Sequence, residues 1–275
     1  MRRVAFPLVS EATFRQKRLG DALKFLRERA GMTQKEAAKR LSYNVPKLSR
    51  IENGQLPDIH ALRAMLDLYG VIIVEEEPYL RLYELASEKG WWREFGPGDG
   101  GYLSLEHDAS EIWDFQATFV PGLFQEENYI RGLMGGGPIR RSAKWVDSET
   151  AKRLRRKERL FGDSPLRYRA VITAYALRHA SRDQLLHLHE LSCLPNVTAQ
   201  VLPESAPLHD GSFTIIEFPD PRYPKLLYVE HVGGAMTDEN PEKVHAARLA
   251  FKRLSKLALT PDESAAWIER LAAER

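Results

Sequence analysis

The sequence predicts an α+β chain, with an N-terminal all-α domain followed by a larger α+β domain that holds a small, mainly antiparallel sheet. Three observations lead there. Every segment from Thr13 to Gly70 shows helical spacing punctuated by caps and breakers. Strand-like alternation begins only after Pro165. The charge is also split: residues 1–70 hold 14 Lys/Arg against 7 Asp/Glu, a balance of +7, while the whole chain of 275 residues has 40 against 38, a net +2. A basic head on an acidic body is what a polyanionic partner confined to one end would select. The expected domains are 1–74 and 75–275.

In the head, Leu19, Leu23, Leu26 and Ala30 recur at helical spacing until Gly31 stops the run. Thr33-Gln34-Lys35-Glu36 has the S/T-x-x-E form of a capping box and opens a second, short helix packed through Ala37, Ala38 and Leu41. Ser42-Tyr43-Asn44 is a polar break. Asn44 then caps a third helix with Pro46 in its first turn, where a missing N–H costs nothing, and Asn53-Gly54 ends it. Pro57-Asp58 starts a fourth, with Leu62, Met65, Leu66 and Tyr69 as its inner stripe. Further helices are expected over Glu76–Phe95, Leu105–Trp113, Leu123–Met134 and Asp147–Phe161, with loops at Gly96–Gly101 and Gly135–Pro138. Leu166–Tyr175 reads as a strand with Tyr168, Ala170 and Ile172 on one side and Arg167, Arg169 and Val171 on the other. A helix over Arg182–Leu194, a strand over Val197–Leu202, paired strands over Phe213–Phe218 and Leu226–Glu230, and helices from Pro241 and Pro261 complete the chain.

Composition narrows the function classes. Hydrophobic residues make up 43% and charged residues 28%, an ordinary globular balance. A lone cysteine, Cys193, excludes an internal disulfide framework and a Cys-rich zinc module, suits a reducing compartment, and is expected to be buried. No apolar run approaches the ~20 residues of a membrane span. The short apolar stretch Val4–Val9 falls below the ~7–15 residues of a signal-peptide core. A cytoplasmic location without membrane contact is expected. Gly96–Gly101 fits G-x-G-x-x-G literally, but it follows a helix and contains Pro97, so a dinucleotide fold does not follow. His187 and His189 stand two apart on a helix and, with His179, make a poor metal site. No catalytic constellation, cofactor motif or metal set is legible, so an enzyme is not expected.

The informative pattern is the second and third helices: two short helices of about nine residues each across a three-residue turn, inside an all-helical block, the helix-turn-helix arrangement. Such a unit sends the N-terminal residues of its second helix to base edges in a groove ~12 Å wide. Leu19-Gly-Asp-Ala-Leu-Lys-Phe-Leu-Arg-Glu-Arg-Ala-Gly31, Met32-Thr-Gln-Lys-Glu-Ala-Ala38 and Leu48-Ser-Arg-Ile-Glu-Asn-Gly54, in register, resemble the Xre/Cro-type repressor family. The resemblance implies that Thr33 and Gln34 meet phosphate, that Asn44, Val45, Lys47 and Arg50 face the groove of double-stranded DNA, and that Asn53 approaches the backbone. It also implies a semi-buried ion pair between Arg27 and Glu52. Ser42 stands where the family usually has glycine, and Val45 and Pro46 stand where some relatives carry base-reading glutamines. Direct readout then falls to Lys47 and Arg50, with a thymine-methyl contact from Val45.

Downstream, Gly90-Trp-Trp92, Val120-Pro-Gly-Leu-Phe-Gln125 with Tyr129, and Leu194-Pro-Asn-Val-Thr-Ala-Gln-Val-Leu-Pro203 are similar to a domain of unknown function that follows such helix-turn-helix units in actinobacterial, antitoxin-like regulators. Many relatives carry an acid in the segment that here reads Val171-Ile-Thr-Ala-Tyr-Ala-Leu177. The resemblance implies a transcriptional regulator, a homodimer on a two-fold site, whose second domain senses a ligand or small protein partner. Its alternative is an antitoxin-like module that holds a small partner protein encoded nearby and uses DNA binding for autoregulation. Trp91, Trp92, Trp113, Phe115 and Tyr129 are either packed core or the lining of an apolar ligand site. Glu106, Trp113, Tyr129 and Glu230 are the ligand-binding candidates. The run Lys152–Lys157 is expected to be a solvated helix face.

Overall fold

The computed structural model describes residues 12–95, 100–136, 140–207, 211–221, 223–231 and 234–275. The stretch Met1–Ser10 and parts of both glycine-rich loops lie outside the described residues. The chain divides into two compact units between Leu105 and Glu106.

The first unit is helical. Helices α1 (Phe14–Arg29), α2 (Gln34–Arg40), α3 (Val45–Glu52), α4 (Ile59–Leu68) and α5 (Glu77–Ser87) follow one another, with a 3-10 turn at Trp91–Phe95. The starts are set locally. Thr13 with Gln16 and Thr33 with Glu36 form capping boxes, and Asn44 and Asp58 accept the backbone N–H three residues on. The inner faces of α1 to α4 meet in one core through Leu19, Leu23, Leu26, Leu48, Ile51, Leu62, Met65 and Leu66. Gly20 lets α1 touch the end of α3: a Cβ there would stand 2.7 Å from the carbonyl oxygens of both Ile51 and Glu52. Helix α5 packs on α1, so this unit runs past the boundary expected at residue 74. The long helix expected over Glu76–Phe95 breaks after Ser87, ahead of Gly90.

In the second unit the sheet is larger than expected, and mixed. Its six strands, β1 (Glu111–Gln116), β2 (Arg167–Thr173), β3 (Val197–Leu202), β4 (Phe213–Glu217), β5 (Leu226–His231) and β6 (Gly234–Asp238), lie in the order β3-β2-β1-β4-β5-β6. β1 pairs in parallel with β2, and β2 with β3; the remaining neighbours are antiparallel. The parallel pairs arise because helices carry the chain back between strands, as parallel neighbours require. α7 (Glu127–Gly135) and α8 (Ala143–Arg156) lie between β1 and β2, and α9 (Ala174–Leu177) and α10 (Arg182–Ser192) between β2 and β3. The expected helix over Leu105–Trp113 is corrected: α6 (Gly100–Asp108) ends there and the central strand β1 begins.

Helices α11 (Pro241–Leu257) and α12 (Pro261–Ala273) close the chain, and α11 packs Val244, Phe251 and Leu254 over Trp113, Phe115, Val171 and Ile215. Two further expectations fail. Cys193 is exposed, because it caps the end of α10 and turns its thiol to the His189 carbonyl. The basic run on α8 is turned inward: Lys152 is buried on Glu149, Arg153 donates to Gln125, and Arg156 pairs with Glu106.

Candidate nucleic-acid interface

Helices α2 and α3, of seven and eight residues, are joined by Leu41–Asn44. Ser42 sits there at φ +57°, the left-handed region that favours glycine. The turn expected from the family resemblance is therefore made, with a serine in the strained position. α3 is two-sided. Leu48, Ile51 and Glu52 are buried, while Asn44, Val45, Pro46 and Arg50 are exposed and Lys47 half-buried.

The inward side is fixed by a buried ion pair. Arg27 Nε donates to Glu52 Oε1 at 2.6 Å and Nη2 to Oε2 at 3.0 Å, while Nη1 donates to the Met32 carbonyl at 2.7 Å. Arg27 is 5% and Glu52 2% exposed. The Glu52 carboxylate raises the Arg27 pKa further, against the opposing effect of burial. Burial, with Glu52 nearby, pushes the Tyr69 phenol up to about 12, so it stays neutral. One guanidinium thus ties α1, the α1–α2 turn and α3 together. Gln34 Nε2 donates to Glu52 Oε2 at 2.7 Å. The side chain expected at phosphate is therefore half-buried and engaged with this ion pair.

The outward side carries the remaining predicted residues. Val45 holds an apolar side chain 39% exposed at the first helical position. Asn44 spends Oδ1 on the Lys47 N–H at 2.8 Å, and among the described residues nothing uses its Nδ2 donors. Lys47 Nζ lies 3.6 Å from the centroid of the Tyr43 ring, a cation–π contact that limits where it points. Arg50 Nε donates to Gln55 Oε1 at 3.0 Å, which leaves the two terminal nitrogens of the fork for an acceptor outside. Asn53 caps α3 and donates Nδ2 to the Ser49 carbonyl at 2.7 Å. Thr33 is the least available. Its N–H and hydroxyl both donate to Glu36 Oε2, at 2.9 and 2.8 Å, and these bonds hold the Glu36 carboxyl below its ordinary pKa. An anion already sits at the start of α2.

Sequence reasoning missed Tyr43 and Gln55, which position Lys47 and Arg50. Tyr43 and Lys47 stand four apart, a spacing that signals contact on a helix, but Tyr43 precedes the cap and reads as turn. The Arg50–Gln55 contact crosses the helix end and leaves no periodic trace.

The four ligand-binding candidates of the second unit fall into separate networks. Glu106 is buried and takes a bidentate pair from Arg156 at 2.8 and 2.7 Å. The Tyr129 hydroxyl accepts from the Val120 N–H at 3.0 Å. Glu230 is exposed and accepts from the Tyr228 hydroxyl at 2.8 Å. Trp113 donates Nε1 to Glu111 at 2.9 Å, and its ring lies under Arg169 and Arg248. On the other face of β1 the fully buried Asp114 accepts from Tyr168, Gln116 and Thr214, while burial pushes its carboxyl pKa up. Among the described residues no helix is long and apolar enough to cross a membrane.

Two family models match. Residues 18–78 match one described as a helix-turn-helix domain, the unit by which DNA-binding regulators hold the duplex. Residues 100–270 match one described as a domain of unknown function, DUF5753. No curated protein and no solved structure matches the chain. Since the second match covers well over half of the chain, the chain belongs to the DUF5753 family and carries a helix-turn-helix domain ahead of that region.

Proposed function

We propose that this protein is a sequence-specific transcriptional regulator that reads double-stranded DNA with the outward side of α3. The observation that carries the reading is the division of α3. The buried Arg27–Glu52 pair, joined by Gln34, fixes one side, while Asn44, Val45, Lys47 and Arg50 are turned outward with no salt bridge among the described residues. Arg50 offers a fork matched to guanine O6 and N7, and Val45 a surface for a thymine methyl. Asn53 lies near the backbone side; Glu36 takes both the N–H and the hydroxyl of Thr33 and Glu52 takes the Gln34 side chain, so the main-chain N–H of Gln34 is the donor offered to phosphate there.

A helix of eight residues is about 12 Å long, so one copy spans only a few base pairs. We therefore read the working form as a homodimer on a two-fold site, with the second unit serving dimerisation and the sensing of a ligand or small protein partner. The reading makes no use of catalysis. Hydroxyl-radical footprinting of the full chain on duplexes selected from random-sequence DNA tests it. Two protected half-sites about 34 Å apart, or a multiple of that, are expected. A single protected patch, or protection independent of sequence, contradicts it.

A further inference from the structure

The second unit has a groove of about 660 Å³ between the C-terminal half of α11 and strands β2 and β3. That volume lies within the roughly 300–1,000 Å³ of small-molecule sites. Its floor is apolar and aromatic. Trp113 and Phe251 meet there with ring centroids 5.3 Å apart, flanked by Leu249 and Leu257, which remain 55% and 38% exposed. Large aliphatic side chains left open beside an aromatic floor are surface that a ligand would cover.

The rim has the opposite character. Lys252 and Lys256 stand four apart on α11 and so share a face, with Arg253 beside them. Among the described residues none of these three has an acidic partner. The facing cation, Arg169, is paired with Glu111. Like charges crowded at this spacing repel one another, and an anion at the rim removes the repulsion. Polar side chains also stiffen the wall. Gln200 Nε2 donates to the carbonyls of Ser255 and Leu259, at 3.1 and 2.8 Å, and pins the end of α11 to β3. An isolated exposed lysine needs no ligand to explain it. An uncompensated cationic rim beside two open leucines, in a groove backed by the buried Trp113–Phe251 pair, is a different arrangement, complementary to one chemical class.

We infer that this groove binds a small amphipathic organic anion: its apolar body lies against Leu249 and Leu257, with Trp113 and Phe251 behind it, and its acidic group meets Lys252 and Lys256. The inference rests on the reading of the second unit as the sensing part, and it names the class of molecule sensed. It draws on Trp113 alone of the residues singled out from the sequence.

The test is isothermal titration of the full chain with 2-naphthoate, and with 2-naphthylmethanol as its neutral counterpart. One saturable site per chain is expected, with 2-naphthoate bound at least tenfold more tightly than the alcohol. Lys252→Gln combined with Lys256→Gln should abolish that preference by weakening the carboxylate at least tenfold, leaving the alcohol unchanged. Both lysines are exposed, so the melting temperature should not move. Absence of saturable binding, equal affinity for the two probes, or an unchanged preference in the double variant overturns the inference. A DNA titration of the same proteins separates it from the regulator reading. Loss of the groove preference with intact duplex binding leaves the regulator standing. Failure of both proteins to bind selected duplexes sinks the regulator and not the groove.

Discussion

Arg27 donates to two separate parts of the chain, the Glu52 carboxylate and the Met32 carbonyl. Its removal leaves a carboxylate buried without a partner, so Arg27→Met should cost about 3–5 kcal/mol in urea unfolding. Replacing both members by apolar residues, Arg27→Met with Glu52→Leu, should recover most of that loss, because the uncompensated charge is then gone. Ser42 makes the opposite prediction. Its left-handed backbone carries a steric penalty that glycine lacks. Ser42→Gly should therefore stabilise the protein, by up to about 1 kcal/mol after glycine's greater unfolded-state freedom is counted. An unfolding midpoint that stays put or falls would show that the turn gains something from serine. The ion pair could be anticipated from the resemblance at Arg27 and Glu52. The recruitment of Gln34 could not, because it depends on where three helices meet.

At the scale of elements, the helix starts of the first unit are local chemistry, and this is why they were legible. Thr33, Asn44 and Asp58 announce α2, α3 and α4 within four residues of sequence. Two of these starts depend on ionised carboxylates. Thr33 holds Glu36, and the Ala61 N–H holds Asp58, below the ordinary carboxylate pKa. A lowered folded pKa means that the contribution is fully present above the unfolded value and is lost as pH falls through the folded one. Stability should drop on acidification below about pH 4, and Glu36→Gln with Asp58→Asn should flatten that part of the profile in a melting series. Strands were harder to see. β1 is central and buried on both faces, so Glu-Ile-Trp-Asp-Phe-Gln lacks the alternation of a half-exposed strand. Its carboxylates are satisfied by Arg167, Arg169, Tyr168 and Thr214, more than fifty residues away. β6 is an exposed edge strand with no apolar pattern to betray it.

Across the whole molecule, two family regions follow one another: a basic helical head with a helix-turn-helix and a DUF5753 body built on a mixed sheet. The head was readable because its residues act near their sequence neighbours. The groove in the body was not, since Trp113, Gln200 and Lys252 are brought together only by the fold. The central claim concerns the outward side of α3, and fluorescence-anisotropy titration of a selected duplex at fixed salt tests it most directly. Arg50→Ala should weaken binding by about 1–3 kcal/mol and relax preference at one base position, with the melting temperature unchanged. Lys47→Ala should weaken binding too. If both variants hold the selected duplex as tightly and as selectively as the parent protein, α3 does not read DNA.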